Sequence, residues 1–172
     1  MSSRILVDEI YGKTANASVL TIDSSGRPLV ANGKVPCFHV YRSSNQTLSS
    51  GTDTTVVYNA NHFLHSWTLN TSTGVLTAGS GAGGIYMLNC RGRVNTAVDS
   101  NTSMKMYIGS TAIQSAYQYS EYYDQMEIST LYEVSAGDTM YVDMAQNTGA
   151  DRTIGNIDNG YHTHFFGYRI SA

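Results

Sequence analysis

Charge is what this chain most conspicuously has little of. Asp, Glu, Lys and Arg make up 13% of 172 residues, about half the usual share. Lysine is confined to Lys13, Lys34 and Lys105, and the formal net charge is -3. No basic stripe can neutralise a phosphate backbone by releasing counterions, so nucleic acid is not an expected partner. Long apolar runs are missing too. None reaches the roughly 18–20 residues needed to span a bilayer as a helix, so no membrane insertion is expected. Met1-Ser2-Ser3-Arg4 leads into only Ile5-Leu6-Val7 before Asp8 and Glu9. No secretory leader is read there, and folding in a cytoplasm is the expectation. The cysteines are Cys37 and Cys90 alone. They lack metal-ligand spacing, and in a chain read as leaderless they are expected to be small apolar side chains rather than a disulfide.

Catalytic signatures are lacking as well. No Gly-x-Ser-x-Gly elbow occurs, and Asp124, Glu127, Asp143 and Asp151 are scattered acids that define no carboxylate pair. The glycine-rich Gly79-Ser80-Gly81-Ala82-Gly83-Gly84 is followed by Ile85-Tyr86-Met87-Leu88, a strand pattern. A phosphate-cradling loop needs a helix at that point, so a turn is the better reading. His162-Thr163-His164 would place its imidazoles on one face of a strand, with His39, His62 or His65 as a conceivable third ligand. No acidic or cysteine ligand has a forced position beside them. The expectation is no enzyme, no cofactor and no metal.

What is present is Ser, Thr and Asn, at 20, 18 and 12 residues, together with short runs alternating at period two. Such a surface is polar but barely charged. It offers Asn-x-Ser/Thr triplets at Asn16, Asn45, Asn70 and Asn101 that composition alone explains. Tyr86, Leu88, Cys90 and Val94 share one face of a predicted strand while Asn89, Arg91 and Arg93 share the other. Met104, Met106 and Ile108 repeat the pattern, as do Met140, Val142 and Met144 after the Gly137-Asp138 turn. Ile128, Thr130, Tyr132 and Val134 form another such face. Phe63, Trp67 and Leu69 supply a further one, and Phe38 with Val40 a short first strand. No dozen-residue window carries a helical stripe capped at both ends. Eight to ten short strands in about 135 residues favour two packed sheets or a barrel over one open sheet. The predicted fold is an all-β antiparallel jelly-roll sandwich.

Residues 1–36 differ. Their apolar islands, Ile5-Leu6-Val7, Val19-Leu20-Thr21-Ile22 and Leu29-Val30, are too small to close a core. They read as an N-terminal arm of hairpin-like strands, with Pro36 marking the boundary and residues 37–172 forming the globular domain.

Within 37–172, the run Leu69 to Thr77 followed by Gly83-Gly84-Ile85-Tyr86-Met87-Leu88 resembles the signature strand pair of the complement globular-head and tumour-necrosis-factor-like jelly rolls. Leu131 to Val142 resembles that family's late hairpin, and Phe165-Phe166-Gly167-Tyr168-Arg169-Ile170 its closing strand. The resemblance implies a compact homotrimer in which each sandwich packs a flank around a three-fold axis. The family's usual proline before Gly84 is replaced by Ser80-Gly81-Ala82, which predicts a more flexible loop. In the arm, Asp8-Glu9-Ile10-Tyr11 and Ser18 to Arg27 resemble the leader segments of tailed-phage fibre and virion-surface proteins. That likeness implies a virion-surface location and anchoring to other virion proteins through Ile5, Leu6, Val7, Ile10 and Tyr11.

Candidate recognition residues follow from side-chain chemistry. Tyr117, Tyr119, Tyr122 and Tyr123 with Gln118, Glu121 and Gln125 read as an aromatic, hydrogen-bonding loop, and rigid tyrosines make contact area at small entropic cost. Thr148 through Asp151, Arg152 and Tyr161 reads as a long polar loop. Either could meet a host-surface glycan or protein. The leading expectation is a trimeric phage spike, fibre tip or capsid decoration; a free-standing lectin-like module is the alternative.

Overall fold

The computed structural model describes residues 9–11, 18–22, 28–30, 35–97, 100–120, 123–157 and 160–171. The chain divides into two compact units, Met1–Lys34 and Val35–Ala172. In the first, β1 (Glu9–Tyr11), β2 (Ser18–Ile22) and β3 (Pro28–Val30) form a three-stranded antiparallel sheet in the order β1-β2-β3. Ile10 faces Leu20 across one pairing and Leu20 faces Val30 across the next. Ile5, Leu6 and Val7 lie outside the described residues.

The second unit is all strand and turn among its described residues. Its strands are β4 (Cys37–Tyr41), β5 (Gln46–Leu48), β6 (Thr54–Thr55), β7 (Ala60–His65), β8 (Trp67–Leu69), β9 (Leu76–Ala78) and β10 (Gly84–Ala97). There follow β11 (Ser100–Ile108), β12 (Thr111–Ser120), β13 (Tyr123–Val134), β14 (Thr139–Gln146), β15 (Arg152–Ile154), β16 (Asn156–Ile157), β17 (Gly160–Tyr161) and β18 (His164–Ser171). One layer runs β7-β4-β18-β10, with β13 on β10 and β15-β5 continuing from its far end. The other runs β12-β11-β14-β9-β8, with β6 also on β14. β16 and β17 make a small hairpin.

The period-two alternation read in the sequence is the packing pattern. Phe38, Val40, Tyr86, Leu88, Cys90 and Phe165 from the first layer are buried against Leu76, Met104, Met106, Met140, Val142 and Met144 from the second. Close-packed rings and thioethers of this kind fill a sandwich interior to crystal-like density. Phe38 meets Trp67 and Phe165 edge to face at centroid distances of 4.8 and 4.9 Å. Cys90 Sγ lies 3.3 Å from Met104 Sδ, and both cysteines are free thiols. In the register Gly167 stands between Leu88 and Phe38. A Cβ there would come within 2.7 Å of the Phe38 ring and 2.8 Å of Leu88, so only glycine lets those large neighbours close over the strand. Gly74, at φ +77, backs onto the Val56 carbonyl and closes the turn between β8 and β9.

Local readings are corrected at five places. Tyr117 to Tyr123 is no loop: Tyr117 and Tyr119 stand in β12, and Tyr123 opens β13 opposite Ala97. Tyrosine is at home on a pleated surface, and Tyr122 lies outside the described residues. The polar stretch from Asp151 to Tyr161 is interrupted by β15, β16 and β17, with Arg152 paired to Leu48 and Tyr161 to Asn156. Leu131 to Val142 is not a hairpin, because β13 belongs to one layer and β14 to the other. Its turn, held by Ser135 N–H donating to Asp138 Oδ2 at 2.8 Å, is a corner between layers. Phe63 and Trp67 do not share a face either. Ser66, at φ 63, breaks the run, leaving Phe63 at 40% exposure and Trp67 at 4%. Finally, the proline-free loop before Gly84 is tethered. Tyr86 Oη donates to the Ala82 carbonyl at 2.7 Å while accepting from Trp67 Nε1 at 3.2 Å. Arg169 Nη1 reaches the Gly81 and Gly83 carbonyls at 3.1 and 3.0 Å.

Candidate functional site

The register of the first layer arranges its outward side chains in rows. One row runs Leu131, Met87, Tyr168, Cys37, His65; the next runs Ser129, Asn89, Phe166, His39, Phe63. An antiparallel sheet that meets water on one side ordinarily carries polar residues there. Here Leu131 is 58% exposed, Ile170 51%, Tyr168 47%, and Phe63 and Ile85 40% each. Contiguous exposed apolar side chains of this kind mark an interaction surface.

On the outward side of β4, beside the edge strand β7, His39 is ringed by aromatic groups. His62 and His164 lie 4.8 and 5.5 Å away by ring centroid, and Phe63 and Phe166 5.9 and 6.0 Å away. Tyr41 stacks on His62 at 4.7 Å. Burial among these rings, then the His164 and His62 imidazoles, lowers the His39 pKa to about 4. His39 is therefore neutral at pH 7 and acts as an aromatic, hydrogen-bonding ring. Toward the polar end, Asn89 Nδ2 donates to Glu127 Oε1 at 2.7 Å and to Ser129 Oγ at 2.9 Å, and Arg91 Nη2 donates to Gln125 Oε1. Asn89 Oδ1 and Arg91 Nε are buried with no hydrogen-bond partner. Buried polar groups without partners are costly, and each calls for an explanation.

Of the histidine pair read in the sequence, His164 opens β18 while His162 precedes it. Among the described residues no three His, Cys, Asp or Glu side chains are placed to hold a metal ion.

The outward side of the second layer is different in chemistry. Lys105 Nζ meets Asp53 Oδ2 at 2.5 Å, and Thr55 Oγ1 donates to Asp143 Oδ1 at 2.7 Å. Burial raises the Asp143 pKa above the ordinary carboxylate value, against the lowering effect of the Thr55 bond. Tyr107 and Tyr141 stack at 4.7 Å. Farther along, Tyr117 and Tyr119 are 72% and 61% exposed, opposite Ser103 and Asn101. Beside Tyr117 an open cleft of about 440 Å³ runs over Ser103 and Ala145.

The proposed recognition residues are thus divided. Tyr117 and Tyr119 share one face of β12, whereas Arg152 belongs to β15 in the other layer. Asp151 is exposed just before it. Sequence reasoning missed the aromatic face. Its signal was the pair Phe165-Phe166 and the off-parity Leu131 and Ile85, apolar residues on both sides of one sheet.

No family model and no curated protein matches the sequence. Solved structures do. An Eiger TNF from S. frugiperda shares 13% identity over 80% of this chain and 93% of its own, with a TM-score of 0.63. Murine APRIL shares 11% over 80% of this chain and 100% of its own, with a TM-score of 0.57. At such identities the likeness is one of architecture: the second unit is a tumour-necrosis-factor-like jelly roll.

Proposed function

We propose that the jelly roll is a non-enzymatic display head that works as a homotrimer, on a tailed-phage virion surface to which residues 1–36 attach it. The observation that carries the assembly is the outward face of the first layer, where Leu131, Tyr168, Phe63 and Ile85 stand exposed. Sister chains around a three-fold axis would cover these apolar side chains. The sequence resemblance to trimeric jelly rolls supports the same geometry. The virion role rests on the leader-like strings of the arm and on its being a compact unit by itself. Three equal sets of surface tyrosines would then contact a host surface weakly, with avidity supplying the strength.

Sedimentation equilibrium of the intact chain tests the assembly. A species near three times 18.7 kDa is expected, and a lone 18.7 kDa species overturns it. Deleting residues 1–36 tests the anchoring: the head should remain trimeric and lose particle binding. A free-standing lectin-like module is the second reading, favoured by the cleft beside Tyr117. In that case the deletion leaves both assembly and ligand binding untouched.

A further inference from the structure

We infer that the cleft beside Tyr117 is a binding site for a short, uncharged saccharide. The argument starts from register. Ser103 faces Tyr117 on one side and Ala145 on the other, so two small side chains lie in one cross-strand row beside a large one. Small residues between bulkier neighbours leave a trough. Its floor is Ser103 and Ala145 and its wall the phenol ring, 72% exposed. Gly51, at φ +73, borders the far side, and its N–H donates to the Gln146 carbonyl at 2.7 Å. One end is bordered by Asn101 and Asn147, joined by the Asn147 N–H to Asn101 carbonyl bond at 3.1 Å.

The frame behind the trough is rigid. Gln146 is 1% exposed, and its amide is fully engaged. Nε2 donates to the Leu48 and Ala150 carbonyls at 2.9 Å each, and Oε1 accepts from Thr148 N–H at 2.8 Å. A shallow site on fixed strands costs little ordering when occupied. At about 440 Å³ it falls within the size range of small-molecule sites.

The lining selects the chemistry. Among the described residues no Lys, Arg, Asp or Glu borders the cleft, so a phosphate, carboxylate or ammonium ligand would surrender its hydration without gaining a counter-charge there. An apolar ligand would bury the Ser103 hydroxyl and the Asn147 amide against nothing that bonds them. A pyranose satisfies both demands: its C–H face stacks on the Tyr117 ring, and its equatorial hydroxyls exchange hydrogen bonds with the Asn147 amide and the Ser103 hydroxyl. This deepens the surface-contact part of the proposed function and requires no assembly. Sedimentation and sugar binding can therefore fail independently.

The test is saturation-transfer NMR on the intact chain with three neutral probes, the methyl glycosides of glucose, galactose and N-acetylglucosamine. N-acetylneuraminic acid and an acetylated, amidated tripeptide serve as comparisons. At least one neutral glycoside is expected to bind at millimolar concentration and to take up magnetisation through its C–H face. Tyr117→Ala should weaken it about tenfold, as loss of an aromatic contact residue does, while Tyr117→Phe retains it. Ala145→Leu, which fills the floor without touching the ring, should also abolish it with the circular-dichroism spectrum unchanged. No transfer to any of the three glycosides, transfer indifferent to Tyr117→Ala, or preference for the acid or the peptide would overturn the inference.

Discussion

The two outward faces of the sandwich are built on the same pleat and carry opposite chemistry. The second layer offers water Lys105 with Asp53, Asp143 with Thr55, and small Ser103 and Ala145. The first offers Leu131, Tyr168, Phe63, Ile85 and a neutral His39. The second layer's face is mostly polar, Tyr117 and Tyr119 apart. The other meets water with apolar side chains that such a sheet ordinarily turns inward. The contrast teaches that alternation at period two reports how many sides of a strand are covered, in one chain or in several.

The largest expected effect comes from charging the apolar face. Leu131→Asp with Tyr168→Asp should weaken self-association about 100-fold or more, since each residue would bury apolar surface worth about 1.5–3 kcal/mol. The matched pair on the second layer, Thr77→Asp with Ser115→Asp, should leave the sedimentation mass unchanged. If both pairs act alike, the faces are not different in kind.

Next comes Gly167→Ala, where the new methyl strikes Phe38 and Leu88 beneath that face. A loss of about 1–3 kcal/mol in urea denaturation is expected, as for other overpacked cores.

Acid should act on the same face. The ordinary His39 pKa of 6.5 is lowered to about 4 in the folded chain, so between those values the unfolded chain takes up a proton that the folded chain refuses. Stability therefore falls as pH drops through that window and levels off below it. The loss should be about 1–2 kcal/mol, discounted for solvent screening of a partly exposed ring, and His39→Phe should flatten the urea midpoint against pH. The smallest effect belongs to the second layer: Lys105→Gln removes an exposed ion pair and should cost under about 1 kcal/mol.

Much of the fold was legible because a half-buried strand writes its burial into its parity. Tyr86, Leu88, Cys90 and Val94 in β10 were read as one face and are all fully buried, and Met140, Val142 and Met144 follow suit. Two kinds of fact resisted. Turn chemistry says that a chain reverses but not which strand it then lies beside. Ser135 to Asp138 therefore looked the same as a hairpin turn while acting as a corner between layers. Convergence across strands is likewise invisible along the chain. His39, His62 and His164 come from β4, β7 and β18, and only register places their rings together. The same holds for the cleft, whose floor pairs residues 103 and 145. The tyrosines were found by composition, but their setting in β12 was not, since aromatic and polar residues in alternation suit a loop and an outward strand equally.

The sulfur seam along the interior has a bearing on how much sequence change the frame tolerates. Met104, Met106, Met140 and Met144 pack against Cys90 and its neighbours. Unbranched thioethers can swing to meet a changed partner where a branched side chain would have to push the backbone. An interior caulked in this way lets individual positions wander over generations without moving a strand. That is one way in which the same frame can be built from two sequences of which only 13% of aligned residues agree.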